Sequence, residues 1–587
     1  MSSEFQVSGE NTAALFTLKL HRGDGMVLVA MNWKDGEPPE DFVGFAIEHK
    51  EPGSDRFKSV RNRLAFSMPD GALNSTTLSS RLSPIQKFRW VHFPFNAELP
   101  GEFVYRVTPV FMDESGVLSY GEPQQAGIEL RRETYPGKLN VTFTRGFVSS
   151  QAFVDKYGGK TPSETQTLLS QLLPASADEG LDFEPSHTQA EAALKWMGFE
   201  ARSAILEVLD EAIEDESANV CAVLYDLNEP GIVSRLEKLG NRVRIIIDDD
   251  GAHGKPDSAE TRAAERLVKS AGNDNVKRQH MGKLQHNKTI VVDGNVQAAV
   301  CGSTNHSWRG FFVQNNNAIV LRGEKPVKLF QDAFEDYWKN DQVSGFGQTG
   351  SAKWNSLGLD GIDAQIGFSP RAEANAVLQT IADDIVTTES SLFFSLAFLY
   401  QTPGAIQDAV KKVQQDDKVF CYGISDHQVK GFEEFDEPEA EGVDLLKSDG
   451  SVTVVSPSAL TAKNTPEPFK SEPTGGGGTR MHHKFIVIDF DKPTARVYMG
   501  SYNFSKAADM SNGENLLLIR DQRVAVSYTV EALRIFDHCE FRLAQANADA
   551  AQKTLQLAKP PRQAGEQAWW VKDYTNPRRI RDRELFA

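Results

Sequence analysis

The chain has 587 residues and 40% apolar residues, too long for one hydrophobic core and rich enough in apolar side chains to build about two to four globular domains. With 63 Lys and Arg against 81 Asp and Glu, its net charge is −18, which excludes a surface drawn as a whole to phosphate backbones or anionic lipid. An anionic substrate would have to be captured by a local positive pocket.

No apolar run approaches the roughly 18 residues that suggest a membrane span. The start, MSSEFQVSGENTAALF, lacks the basic-then-apolar pattern of a signal peptide. Cys221, Cys301, Cys421 and Cys539 are far apart and read as reduced, mostly buried thiols. The expectation is a cytoplasmic protein, with export by a signal-independent route left open.

In chain order, residues 1–138 carry strand-type runs between turn signals: MVLVAMNW (26–33), FVGFAIEHK (42–50), FRWVHFPF (88–95) and FVYRVTPVFM (103–112). This pattern predicts an all-β, sandwich-like accessory domain of immunoglobulin or fibronectin type. From 139 the pattern becomes α/β, and it repeats. A helix near 200–216 is followed by a strand at 219–225, a helix opened by Pro230-Gly231 and a strand at 242–248. The second copy has a helix near 372–387, a strand at 392–400, a helix opened by Pro403-Gly404 and a strand at 418–424. The runs FQDAFEDYW and EALRIFDHCEF fall at matching later places and read as core-packing helices. The units are bounded as 139–345 and 362–550, with the glycine-rich 345–361 between them and a tail over 551–587. The tail mixes aromatic and basic side chains and is expected to dock on the body. The segment 425–480, with GGGG at 475–478, is read either as a mobile lid or substrate wall or as plain disorder.

The repeat also carries reactive residues. QHNKTIVVDG supplies His286, Lys288 and Asp293, and CGSTN supplies Gly302, Ser303 and Asn305. HHKFIVID supplies His482, Lys484 and Asp489, and MGSYN supplies Gly500, Ser501 and Asn503. Both copies read H-x-K-x4-D followed by G-S-x-N. Fourteen residues past each glycine stand Asn316 and Glu514. One copy would be a weak signal, whereas two in equivalent places are specific. Each His and Lys lie two apart on a strand and so share a face.

The duplicated pattern resembles the phospholipase D superfamily over about 140–545. The resemblance implies two pseudo-twofold-related α/β units that share one cleft. It also implies a phosphodiester substrate and a phosphohistidine intermediate, with no metal and no cofactor. His286, in the first motif, is then the nucleophile and His482 the general acid and base. Lys288 and Lys484, with Ser303, Asn305, Ser501 and Asn503, are expected to neutralise the phosphate oxygens. Glu514 is the acid that orients a histidine, and Asn316 departs from that pattern with an amide. Asp293, Asp489, Gly302 and Gly500 are read as structural. His483 points to the other strand face and is read as packed, and Cys301 as a small buried hydrophobe. The run Asp248-Asp249-Asp250 is read as a solvated loop. A phospholipase D-type hydrolase, able to transfer phosphatidyl groups, is favoured over a DNA or RNA endonuclease and over a phosphatidyltransferase.

Overall fold

In this computed structural model the described residues are 4–67, 78–130, 133–146, 157, 168, 170–416, 418–425, 429, 443–446, 452–455, 481–550 and 552–587. Among the described residues, the β-type sequence near the N-terminus forms nine strands: Gln6–Ser8 (β1), Phe16–Arg22 (β2), Val27–Trp33 (β3), Phe42–Lys50 (β4), Lys58–Ser59 (β5), Arg89–His92 (β6), Glu102–Met112 (β7), Leu118–Tyr120 (β8) and Gln124–Glu129 (β9). They make two antiparallel sheets, β1-β2-β3-β6 and β5-β4-β7-β8, with β9 added on β7. Leu18, Leu20 and Val29 from one sheet and Phe45, Tyr105 and Val107 from the other are buried in one apolar cluster. The period-2 alternation that makes each strand two-faced is what closes this layer pair.

The first α/β unit is built from Leu139–Phe143 (β10), Asn219–Leu224 (β11), Val243–Ile247 (β12), Val276–Arg278 (β13), Lys288–Asp293 (β14), Gln297–Gly302 (β15) and Asn317–Arg322 (β16). Its sheet order is β10-β16-β15-β14-β11-β12-β13. The second comprises Asn355–Ser356 (β17), Asp363–Ser369 (β18), Ser391–Leu396 (β19), Phe420–Ser425 (β20), Val443–Leu446 (β21), Val452–Val455 (β22), Lys484–Ile488 (β23), Arg496–Gly500 (β24) and Glu514–Arg520 (β25). Its order is β17-β18-β25-β24-β23-β19-β20-β21-β22. Six strands therefore correspond one to one. The register corresponds too: Leu224 faces Lys288 in the first unit, and Leu396 faces Lys484 in the second.

These central strands are covered on both faces, so their sequences are continuously apolar and not alternating. The inner faces share one core with the helices Glu324–Lys339 and Gln522–Ala550, through Val291, Ile319, Phe334, Val487, Leu517 and Leu533. The outer faces are covered by Ala190–Glu214, Pro230–Leu239 and Ala259–Ala271 in one unit and by Leu378–Val386 and Ala405–Gln414 in the other.

Two expectations are adjusted, and a third falls outside what is described. The strand expected to run to residue 400 stops at Leu396, and the chain turns through Leu399–Gln401 into the region between the units. The 345–361 segment is not a bare linker: it contains β17, and Phe346, Ala352 and Leu357 are buried in the shared core. The segment 425–480, read as a lid or as disorder, lies outside the described residues, apart from Ser425, Val429, β21 and β22; Gly475 to Gly478 and Arg480 are among those not described.

The tail packs on the body. Trp570 is buried in the N-terminal cluster, and Phe586 stacks on Phe490 with ring centroids 5.4 Å apart. Arg89 of β6 joins the parts, bonding Asp537 of the long helix at 2.8 Å and Asp582 of the tail at 2.8 Å. No helix among the described residues is long and apolar enough to cross a membrane.

Candidate active site

The two units meet at the starts of β14 and β23. Backbone bridges pair Gln285 with Gly513 and Asn315 with Met481, so each motif histidine sits beside the segment just before the last strand of the other unit. The result is a reciprocal exchange. His286 donates from Nδ1 to Glu514 Oε2 at 2.8 Å, and His482 Nδ1 meets Asn316 Oδ1 at 2.8 Å. The two imidazole centroids are 6.4 Å apart, edge to face, and both rings line a cleft of about 660 Å³.

The hydrogen bonds set both tautomers. Asn316 donates from Nδ2 to the Gly310 carbonyl at 2.9 Å, so its Oδ1 is the atom left to face His482. His482 must then carry its proton on Nδ1. Glu514 can only accept as a carboxylate, so His286 also carries a proton on Nδ1. In both rings Nε2 is the atom available for chemistry.

The serines of the two G-S-x-N motifs serve this arrangement. Ser501 Oγ donates to Glu514 Oε2 at 2.6 Å and accepts from Asn515 N at 3.0 Å. Ser303 Oγ donates to Asn316 Oδ1 at 3.0 Å and accepts from Asn317 N at 3.0 Å. Ser303 and Ser501 are fully buried and absent from the cleft wall. Expected as phosphate ligands, they instead hold the residues that orient the histidines, because a hydroxyl proton given to a buried oxygen is not free for substrate. Asn305 and Asn503 do line the cleft.

Gly302 and Gly500 make the close packing possible. Each has φ in the region that favours glycine, +138° and +149°. A Cβ there would lie 2.5 Å from the Asn317 carbonyl oxygen and 2.2 Å from that of Asn515.

Lys288 and Lys484 are almost fully buried, and each donates to the carbonyl of the histidine two residues earlier, at 2.6 and 2.8 Å. Their ammonium groups stand 4.7 Å from the Tyr225 ring centroid and 5.5 Å from that of Phe398. Burial, partly opposed by Glu514, Asp226 and Asp248, pushes Lys288 down to about 8. Burial also lowers His286, with Glu514 opposing and Lys288 reinforcing it. His482 lies well below the usual imidazole range through burial, followed by the charges of Lys484 and Lys288.

Asp489, at φ +53°, accepts the amides of Glu389, Ser390 and Ser391 at 3.0, 2.8 and 3.2 Å, fastening the strand ends. Asp293 accepts from Gln331 at 2.8 Å. His483 is buried against Glu531 at 3.1 Å, away from the cleft. All four cysteines are free, and burial pushes the Cys221 thiol up to about 12.

Sequence reasoning missed the residues around the histidines. Tyr225 lies 4.7 Å from His286 and Phe398 lies 6.2 Å from His482, by ring centroids. Their places just past the ends of β11 and β19 are nearly equivalent in the repeat, which was the available signal. Arg309 and Gln314 also line the cleft and follow no periodic pattern. Asp248 is not a solvated loop residue: it is fully buried and accepts from Gln285 N at 2.6 Å. Among the described residues one group, Asp226, His253 and Glu260, has the composition of a metal site. His253, however, aims one ring nitrogen at Asp226 and the other at Asp248, which leaves no lone pair for a metal.

A family model described as cardiolipin synthase, PLD-like domain, matches residues 219–338 and 431–536, one segment in each unit. Proteins named phospholipase D from Rickettsia typhi and Rickettsia conorii are 51% and 49% identical over 47 residues, which are 8% of this chain. The match spans 21% and 22% of those relatives, about a fifth of their length. Among solved structures, phosphatidylserine synthase of Haemophilus influenzae is 13% identical with TM-score 0.40, covering 60% of this chain and 92% of that one. The phospholipase D family member NUC of Salmonella typhimurium is 23% identical with TM-score 0.19, covering 23% and 87%. The family model matches a segment of each motif-bearing unit, and with the Rickettsia relatives it supports membership of the phospholipase D superfamily.

Proposed function

We propose that the protein is a phospholipase D-type phosphodiesterase, in which His286 attacks phosphorus and His482 protonates the departing alcohol. The observation that carries this reading is the opposition of two Nε2-free imidazoles across one cleft, each held through Nδ1 by the other unit. The partners differ in charge, which supports the division of roles. Attack makes the ring of the nucleophile cationic, and the carboxylate of Glu514 stabilises that charge on His286. The uncharged Asn316 leaves His482 a weakly basic imidazole, so its protonated form is a strong acid.

In the first step the His286 Nε2 lone pair forms a bond to phosphorus. The bond to the leaving oxygen breaks, and that oxygen takes the Nε2 proton of His482. In the second, neutral His482 takes a proton from water or from a second alcohol, whose oxygen displaces His286. Lys288, Lys484, Asn305 and Asn503 supply donors and positive charge to the phosphoryl oxygens. We place this chemistry in units 139–345 and 362–550, with 1–138 as an accessory β domain.

A phospholipid substrate is favoured by the wall of the cleft on the second unit, where Leu378, Phe398, Pro403, Ile406, Phe504 and Ala507 contribute apolar side chains. A lipid glycerol backbone and acyl chains fit such a wall, whereas a nucleic acid groove would need a run of cations. The name phospholipase D of the Rickettsia relatives agrees with this choice. The test is turnover of mixed phospholipid micelles with ethanol, in EDTA, beside single- and double-stranded DNA. The expected product is phosphatidylethanol together with phosphatidic acid, both lost in His286→Ala. DNA cleavage without lipid turnover would make the protein a nuclease instead. Transfer to alcohols with no hydrolysis would make it a phosphatidyltransferase.

A further inference from the structure

The sequence placed no function on His253, yet it sits directly behind Tyr225 and Asp226, which line the cleft on the first unit. Its Nε2 is 3.0 Å from Asp226 Oδ1, and its Nδ1 is 2.8 Å from Asp248 Oδ2. A carboxylate can only accept, so a ring bonded to carboxylates through both nitrogens must be a doubly protonated imidazolium.

Each carboxylate has a second oxygen, and each reaches the reaction centre. Asp248 Oδ1 accepts the amide of Gln285 at 2.6 Å, one residue before His286. Asp226 Oδ2 accepts from Asn305 Nδ2 at 2.6 Å, and Asn305 lines the cleft. An amide nitrogen has two hydrogens. With one given to Asp226, the other is left for a substrate oxygen. The bond holds although it leaves Asn305 Oδ1 buried without a hydrogen-bond partner among the described residues. Tyr225 completes the link, with its ring 4.5 Å from His253 and 4.7 Å from His286.

Aligning Leu224 with Leu396, both opposite the motif lysine, puts Asp226 level with Phe398 in the second unit. Among the described residues the carboxylate-imidazolium pair lies on the side of the cleft that carries His286.

We propose that His253, clamped between Asp226 and Asp248, is a positioning residue that fixes the Asn305 donor and the backbone at Gln285, and so sets the approach of His286 to phosphorus. This rests on the phosphodiesterase reading of the cleft. The charged neighbours agree with it. Burial disfavours the cation, but the bonds to Asp226 and Asp248 outweigh burial and raise His253 to about 11. Burial alone would raise Asp226, and His253 holds it below the usual carboxylate range. From the helix Ala259–Ala271, Glu260 faces the pair and is pushed up to about 7 by burial. The Lys288 ammonium stands 4.7 Å from the Tyr225 ring centroid, and Arg278 caps the carbonyls of Asp248 and His253 at 2.9 and 2.7 Å.

The experiment compares the wild type with His253→Gln, Asp226→Asn and the double variant on bis(4-nitrophenyl) phosphate, a diester that is neither lipid nor nucleotide. The expected result is a kcat lowered about 10- to 100-fold in each single variant with KM changed less than about threefold, the scale of loss when a supporting hydrogen bond to a reactive group is removed. The double variant should be no worse than the poorer single one, because both break one linkage. Losses that multiply, or a His253→Gln enzyme within about twofold of the wild type, would overturn the proposal while leaving the phosphodiesterase reading intact. A wild type inert on this diester and on phospholipid and DNA would overturn both. Should the variants fail to fold, 15N-imidazole NMR of the wild type decides: both ring nitrogens of His253 protonated to about pH 9 are expected, and a neutral ring at pH 8 contradicts the clamp.

Discussion

The partners of the two histidines differ by one charge, and pH dependence should reveal it. A nucleophilic imidazole must be neutral, so His286 governs the acid limb of the kcat/KM profile. Burial lowers its pKa and Glu514 opposes that lowering. In Glu514→Gln the opposing charge is gone, the pKa falls further, and the acid limb moves to lower pH. The same change should cost kcat on the order of 100-fold or more, because the ring loses its orienting and charge-stabilising partner. The general acid must be protonated, so His482 governs the alkaline limb. Burial and the nearby lysines hold it low, and Asn316 brings no charge to offset them. Asn316→Asp adds one, and the alkaline limb should move to higher pH. The measurement is the profile of each variant, read as apparent values of the pair. An unmoved limb in either variant would show that these contacts do not tune the histidines.

At the scale of elements, the two H-x-K strands were legible because chemistry and burial leave opposite marks on one short segment. Apolar residues of β14 and β23 anchor the sheet, and the polar pair marks the end that emerges. The use of Ser303 and Ser501 was not legible. Whether a hydroxyl meets substrate or a neighbouring side chain depends on the third dimension, and both spend their proton inside the protein. His253 left no trace either, since it lies in a loop without period and joins Asp248 of that loop to Asp226 of another. The glycines are the opposite case. Their backbone angle and the carbonyls pressed against them explain the motif itself. Gly500→Ala should destabilise the fold by about 1–3 kcal/mol, the usual cost of strain of this kind, and the midpoint of denaturant unfolding measures it.

Across the whole molecule, the duplicated pattern implied two units and one cleft, and the structure supplies the reciprocal contacts that join them. What the pattern could not supply is the exchange of partners, in which each histidine is oriented by the other unit. The docking of the tail was expected, but its partners were hidden, because Arg89 stands 448 residues from Asp537 and 493 from Asp582. Removing one member of a buried charged group strands the others, so Arg89→Ala should cost about 3–5 kcal/mol and loosen the tail, read by thermal unfolding and by limited proteolysis after residue 550. Since the proposed steps use only side chains of the two units, activity should persist in EDTA; loss that a divalent metal restores would show that an ion takes part. The central claim is that His286 becomes covalently bound to phosphorus while His482 moves the protons. The most direct measurement is mass spectrometry of the enzyme quenched during turnover of phospholipid, in the wild type, His286→Ala and His482→Ala. An adduct on His286, trapped in His482→Ala and absent from His286→Ala, is the predicted result; an adduct on His482, or unimpaired turnover in either variant, would contradict it.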